Sequence, residues 1–242
     1  MTQERIAKRI ARSGVCSRRE AERLIEEGKV KVDGKTITSP ALNVDENNII
    51  QVNGKPLADA EPTRLWLYHK PVGLLTTHKD PENRPTIFSA LPSTMPRVIS
   101  IGRLDINSEG LLLLTNDGAL ARHLELPATG WIRRYRLRIY GVLTEAHIKQ
   151  IEKGVTVDGV NYGPMTVKID SQAGRNCWVT VGLKEGKNRE LRNVFNHFDL
   201  QVSRLLRIAY GPFQLGQIPR REVKEVPKTA LKNALGKTFE IK

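Results

Sequence analysis

The sequence contains few of the residues that stabilise a protein covalently or through metals. It has two cysteines and five histidines among 242 residues. Cys16 and Cys177 lie far apart, and neither has a cysteine or histidine at metal-ligand spacing, so neither a zinc site nor a disulfide is favoured. We expect both to be buried thiols. The histidines include no i, i+4 pair that would place two ligands on one helix face, and the sequence therefore predicts no metal site.

Long apolar runs and the usual cofactor motifs are also absent. No run approaches the roughly 20 apolar residues that a membrane span requires, and residues 1–5 lead into alternating charge rather than into an apolar signal region. We therefore expect a cytoplasmic protein without a membrane partner. Residues 182–188 contain a Gly-Lys pair but lack the spacing of a phosphate loop. A metal-dependent nuclease would need several convergent carboxylates; Glu109 and Asp117 follow the acid at position 105 closely, but each fits loop or turn chemistry at least as well.

Acidic residues are the minority among the charged ones. Lys and Arg total 39 against 26 Asp and Glu, which gives a net charge of +13. An excess of this size favours a polyanionic partner, for which RNA, DNA and an anionic membrane surface all qualify. With 39% hydrophobic residues, a chain of this length can bury a substantial core. The protein is therefore predicted to be globular.

Residues 1–60 predict a small domain of helices followed by strands. Apolar residues at helical spacing indicate a basic amphipathic helix over residues 4–13. Residues 17–28 begin with a capping box and end with a glycine, as is typical of a second helix. Residues 30–37 alternate around an Asp-Gly turn, and residues 49–54 supply a further strand and turn. The expected order is helix, helix, hairpin.

This order resembles the small RNA-binding domain first described in ribosomal protein S-four, whose two helices present basic residues to an RNA backbone. The resemblance implies RNA contacts at basic positions of both helices, namely Arg5, Lys8, Arg9, Arg12, Arg18 and Arg19. For any single one of them, a solvated surface charge is an equally good interpretation. Phosphate binding requires a concentrated patch, and the cluster as a whole favours it.

A second domain is expected over residues 64–236. Residues 57–63 are small, acidic and proline-containing, and they are the best candidate for a linker. Beyond them, strand-like segments lie at 64–70, 136–140 and 176–181, and helix-like segments lie near 145–153 and 188–197. Because strands and helices do not alternate regularly, the pattern favours an α+β sheet domain over a doubly wound one.

Asp105 lies beside an arginine and ahead of an apolar run, in a chain that is otherwise basic. By itself, an aspartate in such a place most often caps a turn. However, Gly-Arg-Leu-Asp at 102–105, followed by Gly110, a run of leucines and Thr-Asn-Asp-Gly at 115–118, resembles the catalytic motif of the RNA pseudouridine synthases. The similarity is to the RsuA/RluB branch, which modifies ribosomal RNA.

The resemblance extends over nearly the whole chain. Lys-Pro-Val-Gly at 70–73 is similar to the branch's entry strand, Arg-Tyr-Arg-Leu at 134–137 to its tyrosine-bearing strand, and Glu-Gly-Lys-Asn-Arg-Glu-Leu-Arg at 185–192 to its late strand-to-helix motif. The small N-terminal RNA-binding domain is also usual for this branch. The resemblance therefore implies that residues 64–236 form a catalytic domain with a mainly antiparallel mixed sheet.

In that family an aspartate attacks the bound uridine, and the base leaves the ribose, rotates and is rejoined through carbon 5 without consuming a cofactor. The resemblance assigns the attack to Asp105. An aspartate is normally ionised at neutral pH, and an adjacent cation would keep it so. The sequence leaves open whether the carboxylate attacks the base, attacks the anomeric carbon of the sugar, or removes a sugar proton.

The resemblance also assigns companions to this aspartate. Arg192 stands where the family has its basic residue, and its planar guanidinium is suited to holding the carboxylate bidentately. Tyr135 would stack on an extruded base beside the charge of neighbouring arginines, and Leu191 would line the pocket. Arg103 would fill the vacated space or grip a flanking phosphate, with a structural ion pair as the alternative. The alternatives for the others are a surface charge, a half-buried strand tyrosine and a core leucine.

The resulting hypothesis is an isomerase that converts a uridine of ribosomal RNA to pseudouridine. Similarity to the more general form of the branch favours large-subunit RNA, with small-subunit RNA as the alternative. A noncatalytic RNA-binding or ribosome-assembly protein is the competing class, and another base-modifying enzyme such as a methyltransferase is a further one. We expect ribosomal RNA as the partner, a monomer, and neither a metal nor an organic cofactor.

Overall fold

The structure, a computed structural model, describes residues 3–126 and 129–241. One hydrophobic core lies near the N-terminus, and two more lie on the two faces of a large sheet. None of the helices in the described residues is long and apolar enough to cross a membrane.

The N-terminal region contains a two-residue strand, then two short helices and then further short strands, with the bounds β1 (Glu4–Arg5), α1 (Ile6–Arg12), α2 (Arg18–Glu26), β2 (Val30–Val32), β3 (Lys35–Ile37), β4 (Asn43–Val44), β5 (Ile50–Val52) and β6 (Lys55–Pro56). Helix α2 begins where the Ser17 hydroxyl accepts a hydrogen bond from the Glu20 amide, as expected of a helix cap. Strands β2 and β3 form a hairpin whose turn residues, Asp33 and Gly34, both have positive φ, as a tight two-residue turn requires. The predicted order of helix, helix and hairpin is confirmed.

The remainder of the chain is built around one large sheet, with the elements β7 (Leu65–Lys70), β8 (Ile99–Ile101), β9 (Glu109–Thr115), α3 (Gly118–Glu125), β10 (Arg133–Tyr140), α4 (Glu145–Lys153), β11 (Val155–Val157), β12 (Val160–Tyr162), β13 (Thr166–Ala173), β14 (Asn176–Leu183), α5 (Glu190–His197), β15 (Gln201–Tyr210), β16 (Phe213–Gln214), β17 (Val223–Glu225) and α6 (Lys228–Leu235). Over the described residues, nine strands form the sheet in the order β13-β14-β10-β15-β9-β7-β17, with β8 beside β9 and β16 beside β15. Strands β9 and β15 pair in parallel, and the other pairs of this sheet are antiparallel. The prediction of an α+β fold with a mainly antiparallel mixed sheet is confirmed.

The leucine run forms strand β9 inside this sheet, and every residue of the strand is buried. Leu112 and Leu114 belong to one core, whereas Leu111 and Leu113 belong to the other. Because both faces of the sheet are covered here, the run is continuously apolar rather than alternating. The strand gives a rigid support to the loop that precedes it, which carries Asp105.

Some local features differ from the sequence prediction. The helix expected near residues 188–197 begins at Glu190, because Arg189 has a left-handed backbone with a φ of 47°. Helices α3 and α6 were not predicted. Both are short, and both bury apolar residues in the core that contains Leu111 and Leu113 of β9. Cys177 is buried as expected, but Cys16 is only partly buried because it lies in the connection between α1 and α2.

Candidate active site

A cleft of about 640 Å³ lies where the loop before β9, the start of β10 and the turn before α5 meet. Its walls include each cleft residue predicted from the sequence, namely Arg103, Asp105, Tyr135, Leu191 and Arg192. These residues come from segments that are distant along the chain. The tertiary structure therefore combines the separate motifs in one site.

The side chain of Lys70 holds the turn that carries Asp105. This side chain is completely buried, and its ammonium donates to the carbonyls of Pro71, Asp105 and Ser108 at 3.0, 3.0 and 2.9 Å. Burial lowers the pKa of Lys70 to about 8, although the carboxylates of Asp105 and Glu109 act in the opposite direction. A buried ammonium with several carbonyl acceptors thus fixes the backbone of the turn. The motif at 70–73 contains Lys70, but the sequence alone indicates no role for this residue.

The Asp105 carboxylate has a different counter-cation from the one expected. Its Oδ2 lies 3.9 Å from Nη1 of Arg189, and the two side chains are 35% and 45% exposed. Arg192 instead donates to the carbonyls of Val202 at 2.8 Å and Asn107 at 3.0 Å. The expected bidentate pair is therefore not formed, because Arg192 lies in the first turn of α5 and is only 9% exposed. Arg189 precedes the helix and reaches the carboxylate.

Arg192 nevertheless supports the same turn. Its hydrogen bond to Asn107 holds the chain two residues beyond Asp105, between the Asp105 and Ser108 carbonyls that Lys70 bonds. Burial and the charge of Arg189 lower the pKa of Arg192, and the Asp105 carboxylate acts in the opposite direction. The guanidinium thus lies within the electrostatic field of Asp105 without bonding to it.

Tyr135 faces the cleft, but the arginines beside it in sequence do not. Strand β10 alternates buried and exposed residues, so Tyr135, at 8% exposure, points to one face and Arg134 and Arg136 to the other. Arg207, the direct partner of Tyr135 on β15, and Arg133, two residues before it on β10, line the cleft together with it. Of the arginines expected near the ring, Arg134 and Arg136 therefore lie on the other face, because side chains alternate along a strand.

A further part of the cleft wall consists of Arg133, Arg207 and Tyr210, and the sequence alone indicated no role for the last two. The Arg133 guanidinium lies 4.8 Å from the Tyr210 ring centre and donates to its hydroxyl at 2.9 Å. Arg207 lies 5.4 Å from the same ring centre, is 2% exposed and donates to the carbonyl of Leu111 at 2.6 Å. Aromatic and cationic groups therefore alternate along this wall, an arrangement that only the strand register reveals.

Glu190 supports the turn that presents Arg189. It is 4% exposed, and its Oε2 accepts a hydrogen bond from the Lys187 amide at 2.9 Å. Burial, and after it the neighbouring Glu185 carboxyl, raise the pKa of Glu190 to about 8. Burial therefore favours the protonated, uncharged form of this side chain. A charged surface residue would have been the usual expectation for glutamate, so the sequence gives no signal for this role.

The other predicted residues have mixed surroundings. Arg103 is exposed, and it forms no ion pair or hydrogen bond within the described residues, so the alternative of a structural ion pair is not observed. Leu191 is 4% exposed and lines the cleft together with Leu205. Asp117 caps helix α3, as expected of turn chemistry, by accepting from the Ala119 amide.

Glu109 does not have the loop or turn role considered for it. It is the first residue of β9, is 4% exposed, and forms ion pairs with Arg204 and with Arg220, the latter at 3.2 Å. A buried carboxylate requires such partners. Its surroundings explain it as a structural residue of the sheet.

The predicted RNA contacts of the N-terminal helices lie outside this cleft. Exposed members of the set are Arg5, Lys8, Arg18 and Arg19, and the partly buried ones are Arg9 and Arg12. Lys8 pairs with Glu4 at 3.2 Å and Arg9 with Asp59 at 3.6 Å. Exposed pairs of this kind are weak, so these cations are available to a stronger anionic partner. Their RNA contacts stay a prediction.

Within residues 3–126 and 129–241, no three histidine, cysteine, aspartate or glutamate side chains come together in a way that would hold a metal ion. The charged groups of the cleft instead comprise the carboxylates of Asp105 and Glu125, the buried acid Glu190, the ammonium of Lys187 and several guanidinium groups. Such a site is suited to a polyanionic substrate that exposes one reacting group to Asp105.

Both regions match known protein families. Residues 64–197 match the family described as RNA pseudouridylate synthase, and residues 4–50 match the S4 domain. A crystal structure of a pseudouridylate synthase is similar with a TM-score of 0.67 and 22% identity, covering 95% of this chain and 99% of that one. This structural similarity supports the fold.

Individual relatives cover most of the chain. A Rickettsia felis protein described as an uncharacterized RNA pseudouridine synthase is 51% identical over 223 residues, which cover 92% of this chain and 96% of the relative. The ribosomal large subunit pseudouridine synthase B of Pasteurella multocida is 40% identical, over 93% of this chain and 68% of its own length. The Yersinia pestis protein of the same description is 39% identical, over 90% and 70%.

Proposed function

The chain belongs to the RNA pseudouridylate synthase family and is an RNA pseudouridine synthase, an isomerase, and we propose that it modifies one uridine of large-subunit ribosomal RNA with Asp105 as the reacting residue. The observation that carries this assignment is the arrangement of the carboxyl groups in the cleft wall. Glu190 is only 4% exposed, and Glu125 accepts a hydrogen bond from the Gly102 amide at 2.6 Å. Asp105 is partly exposed, and its one ion pair within the described residues is with Arg189 at 3.9 Å. It is the carboxylate best placed to meet a substrate.

Asp105 would act as an anion on the bond between ribose and base. A carboxylate either forms a bond to the substrate or stabilises the positive charge that develops on a sugar ring when its substituent departs. Lys70 bonds to the carbonyl of Asp105 and Arg192 to that of Asn107, so the carboxylate is positioned before the substrate binds. Such prior positioning reduces the entropy lost on reaching the transition state.

The cleft wall offers a suitable surface for an extruded base. Extrusion costs a few kcal/mol, least in loops and bulges, and stacking on an aromatic ring returns roughly 1–3 kcal/mol. Tyr135 would supply that ring, and Leu191 would supply an apolar contact. Arg103, at the exposed rim, would then fill the space that the base leaves or bind a flanking phosphate.

We also propose a division of labour along the chain. Residues 1–60 would anchor the RNA, and residues 64–236 would hold the reacting uridine. The N-terminal region has its own hydrophobic core and exposes basic residues on both of its helices. The choice of large-subunit RNA is supported by the names of the Pasteurella multocida and Yersinia pestis relatives.

The test is to replace Asp105 by asparagine, which keeps the shape of the side chain and removes its charge. The purified variant should bind an unmodified large-subunit RNA transcript as the wild type does, yet form no pseudouridine when the transcript is mapped chemically. Asp59→Asn, at a fully exposed position, is the matched control and should remain active. Unchanged modification by Asp105→Asn would refute the catalytic assignment. Modification of a small-subunit transcript alone would refute the choice of RNA.

A further inference from the structure

The sheet face opposite the cleft carries basic side chains that the proposed reaction does not use. On β10, the residues that point away from Tyr135 include Arg134, Arg136 and Arg138, and all of these arginines are exposed. Cross-strand pairing extends the same face over β13, β14 and β15. We call this surface the basic sheet face and define it by Arg134, Arg136, Arg138, Lys168, Arg175, Trp178 and Arg204.

A tryptophan lies at the centre of this face, between two guanidinium groups. Trp178 and Arg204 pair with Arg138 from opposite sides of β10. The guanidinium carbons of Arg136 and Arg204 lie 4.9 and 5.8 Å from the centre of the Trp178 ring. Stacking of this kind holds a guanidinium flat while its N–H groups remain directed outward, in the geometry that binds phosphate. The basic sheet face therefore presents ordered donors.

The cations of this face outnumber the acids near them. Asp170 lies 3.3 Å from Arg136, and the buried Glu109 pairs with Arg204. No other acid pairs with the face within the described residues, and its cations without an ion pair are Arg134, Arg138, Lys168 and Arg175. A solvated sheet face usually intersperses both signs of charge. This one has a surplus of positive charge that a polyanion would neutralise.

We propose that the basic sheet face binds the phosphate backbone of the RNA substrate, at a segment distinct from the one whose uridine enters the cleft. Charge complementarity supports this partner, since neutralising phosphates releases counterions from RNA. Exposed aromatic groups support it too: Arg175 stacks on Tyr140 at 5.0 Å, and that tyrosine is 45% exposed. Nucleic-acid bases stack on exposed aromatic rings of this kind, whereas an acidic protein has no bases that could stack there. The proposal rests on the proposed function only in naming the modified RNA as the partner.

The experiment compares two double variants of the full chain. Arg134→Gln with Arg138→Gln removes two charges from the basic sheet face. Lys149→Gln with Lys153→Gln removes two exposed charges from α4, which packs on the opposite side of the sheet through Ile151. Binding of an unmodified large-subunit transcript and of a short stem-loop is measured over a range of salt concentrations. Circular dichroism of each variant verifies that it is folded.

For the arginine variant, we expect the affinity for the transcript to fall about tenfold. The slope of log affinity against log salt should decrease by nearly 2, since each phosphate contact contributes about 0.9. Stem-loop binding and the rate at saturating RNA should be retained, and the lysine variant should behave as wild type. Equal affinity and slope, or equal losses in both variants, would overturn the proposal. The proposal would also be overturned if the arginine variant kept its RNA binding but lost binding to an acidic protein.

The same binding measurements in the Asp105→Asn background separate this proposal from the proposed function. That protein should bind the transcript through the basic sheet face while forming no pseudouridine. Failure of the catalytic assignment would appear as persistent modification, whereas failure of the surface assignment would appear as an unchanged salt dependence.

Discussion

Replacing Glu190 by glutamine should stabilise the protein at neutral pH. Glu190 is 4% exposed, and burial together with the Glu185 carboxyl raises its pKa from 4.5 to about 8. The folded protein therefore keeps a proton on this group at pH 7, whereas the unfolded chain releases it. Glutamine has nearly the same shape, and it can accept the same hydrogen bond from the Lys187 amide. Its amide group can donate to Glu185 without having to take up a proton.

The size and sign of the effect follow from proton linkage. Because the folded pKa is raised, the stability contributed by the protonated acid is complete below pH 4.5 and is lost as the pH rises through about 8. Each pH unit corresponds to about 1.36 kcal/mol. Protonating a normal glutamate at pH 7 thus costs roughly 3 kcal/mol, which is the upper limit of the gain. We expect Glu190→Gln to raise the free energy of unfolding by about 1–3 kcal/mol at pH 7 and by much less at pH 5.

Denaturant unfolding followed by tryptophan fluorescence would test this prediction. Trp66, Trp131 and Trp178 all follow the N-terminal region, so the signal reports unfolding of the region that contains Glu190. Glu152→Gln, at an exposed position of α4, is the control and should change neither the stability nor its pH dependence. A gain that is absent, or that has the same size at pH 5 and pH 7, would refute a buried proton on Glu190.

Substitutions at three further residues test the site. Lys70→Met should lower the free energy of unfolding by a few kcal/mol, because the carbonyls of Pro71, Asp105 and Ser108 lose their donor. It should also lower kcat, because the turn that carries Asp105 loses this support. Full turnover would contradict the positioning role. Arg189→Gln should change stability by less than about 1 kcal/mol, since the pair with Asp105 is partly exposed, but should reduce kcat; an unchanged kcat would count against the ion pair. In a single-turnover assay, Tyr135→Phe should keep a near-normal rate, whereas the rate of Tyr135→Ala should fall about 5- to 150-fold through lost stacking. Equal rates for the two variants would show that the ring is only structural.

The sequence alone predicted the local structures whose determinants are local. The Asp33-Gly34 turn needs two residues that accept positive φ, and the start of α2 needs the hydroxyl of Ser17. The motifs around Asp105 and Tyr135 also identified the family and the segments that line the cleft. They did so because the order of residue types along a short segment is readable without the rest of the fold.

The tertiary structure decided which groups surround these residues. Arg189, rather than Arg192, meets Asp105, because the helix begins between them and buries the second guanidinium. The arginines beside Tyr135 point to the opposite face, since side chains alternate along a strand.

The functions that we infer for Lys70 and Glu190 depend on burial, which no single segment determines. A lysine and a glutamate are usually exposed, and nothing in their immediate sequence indicates the carbonyls or the carboxyl group that they meet. The sequence thus determined the family and the residue proposed to react. The packing of distant strands decided how the protein holds that residue and which cations surround it, because the register of a sheet and the burial of a charge are properties of the whole fold.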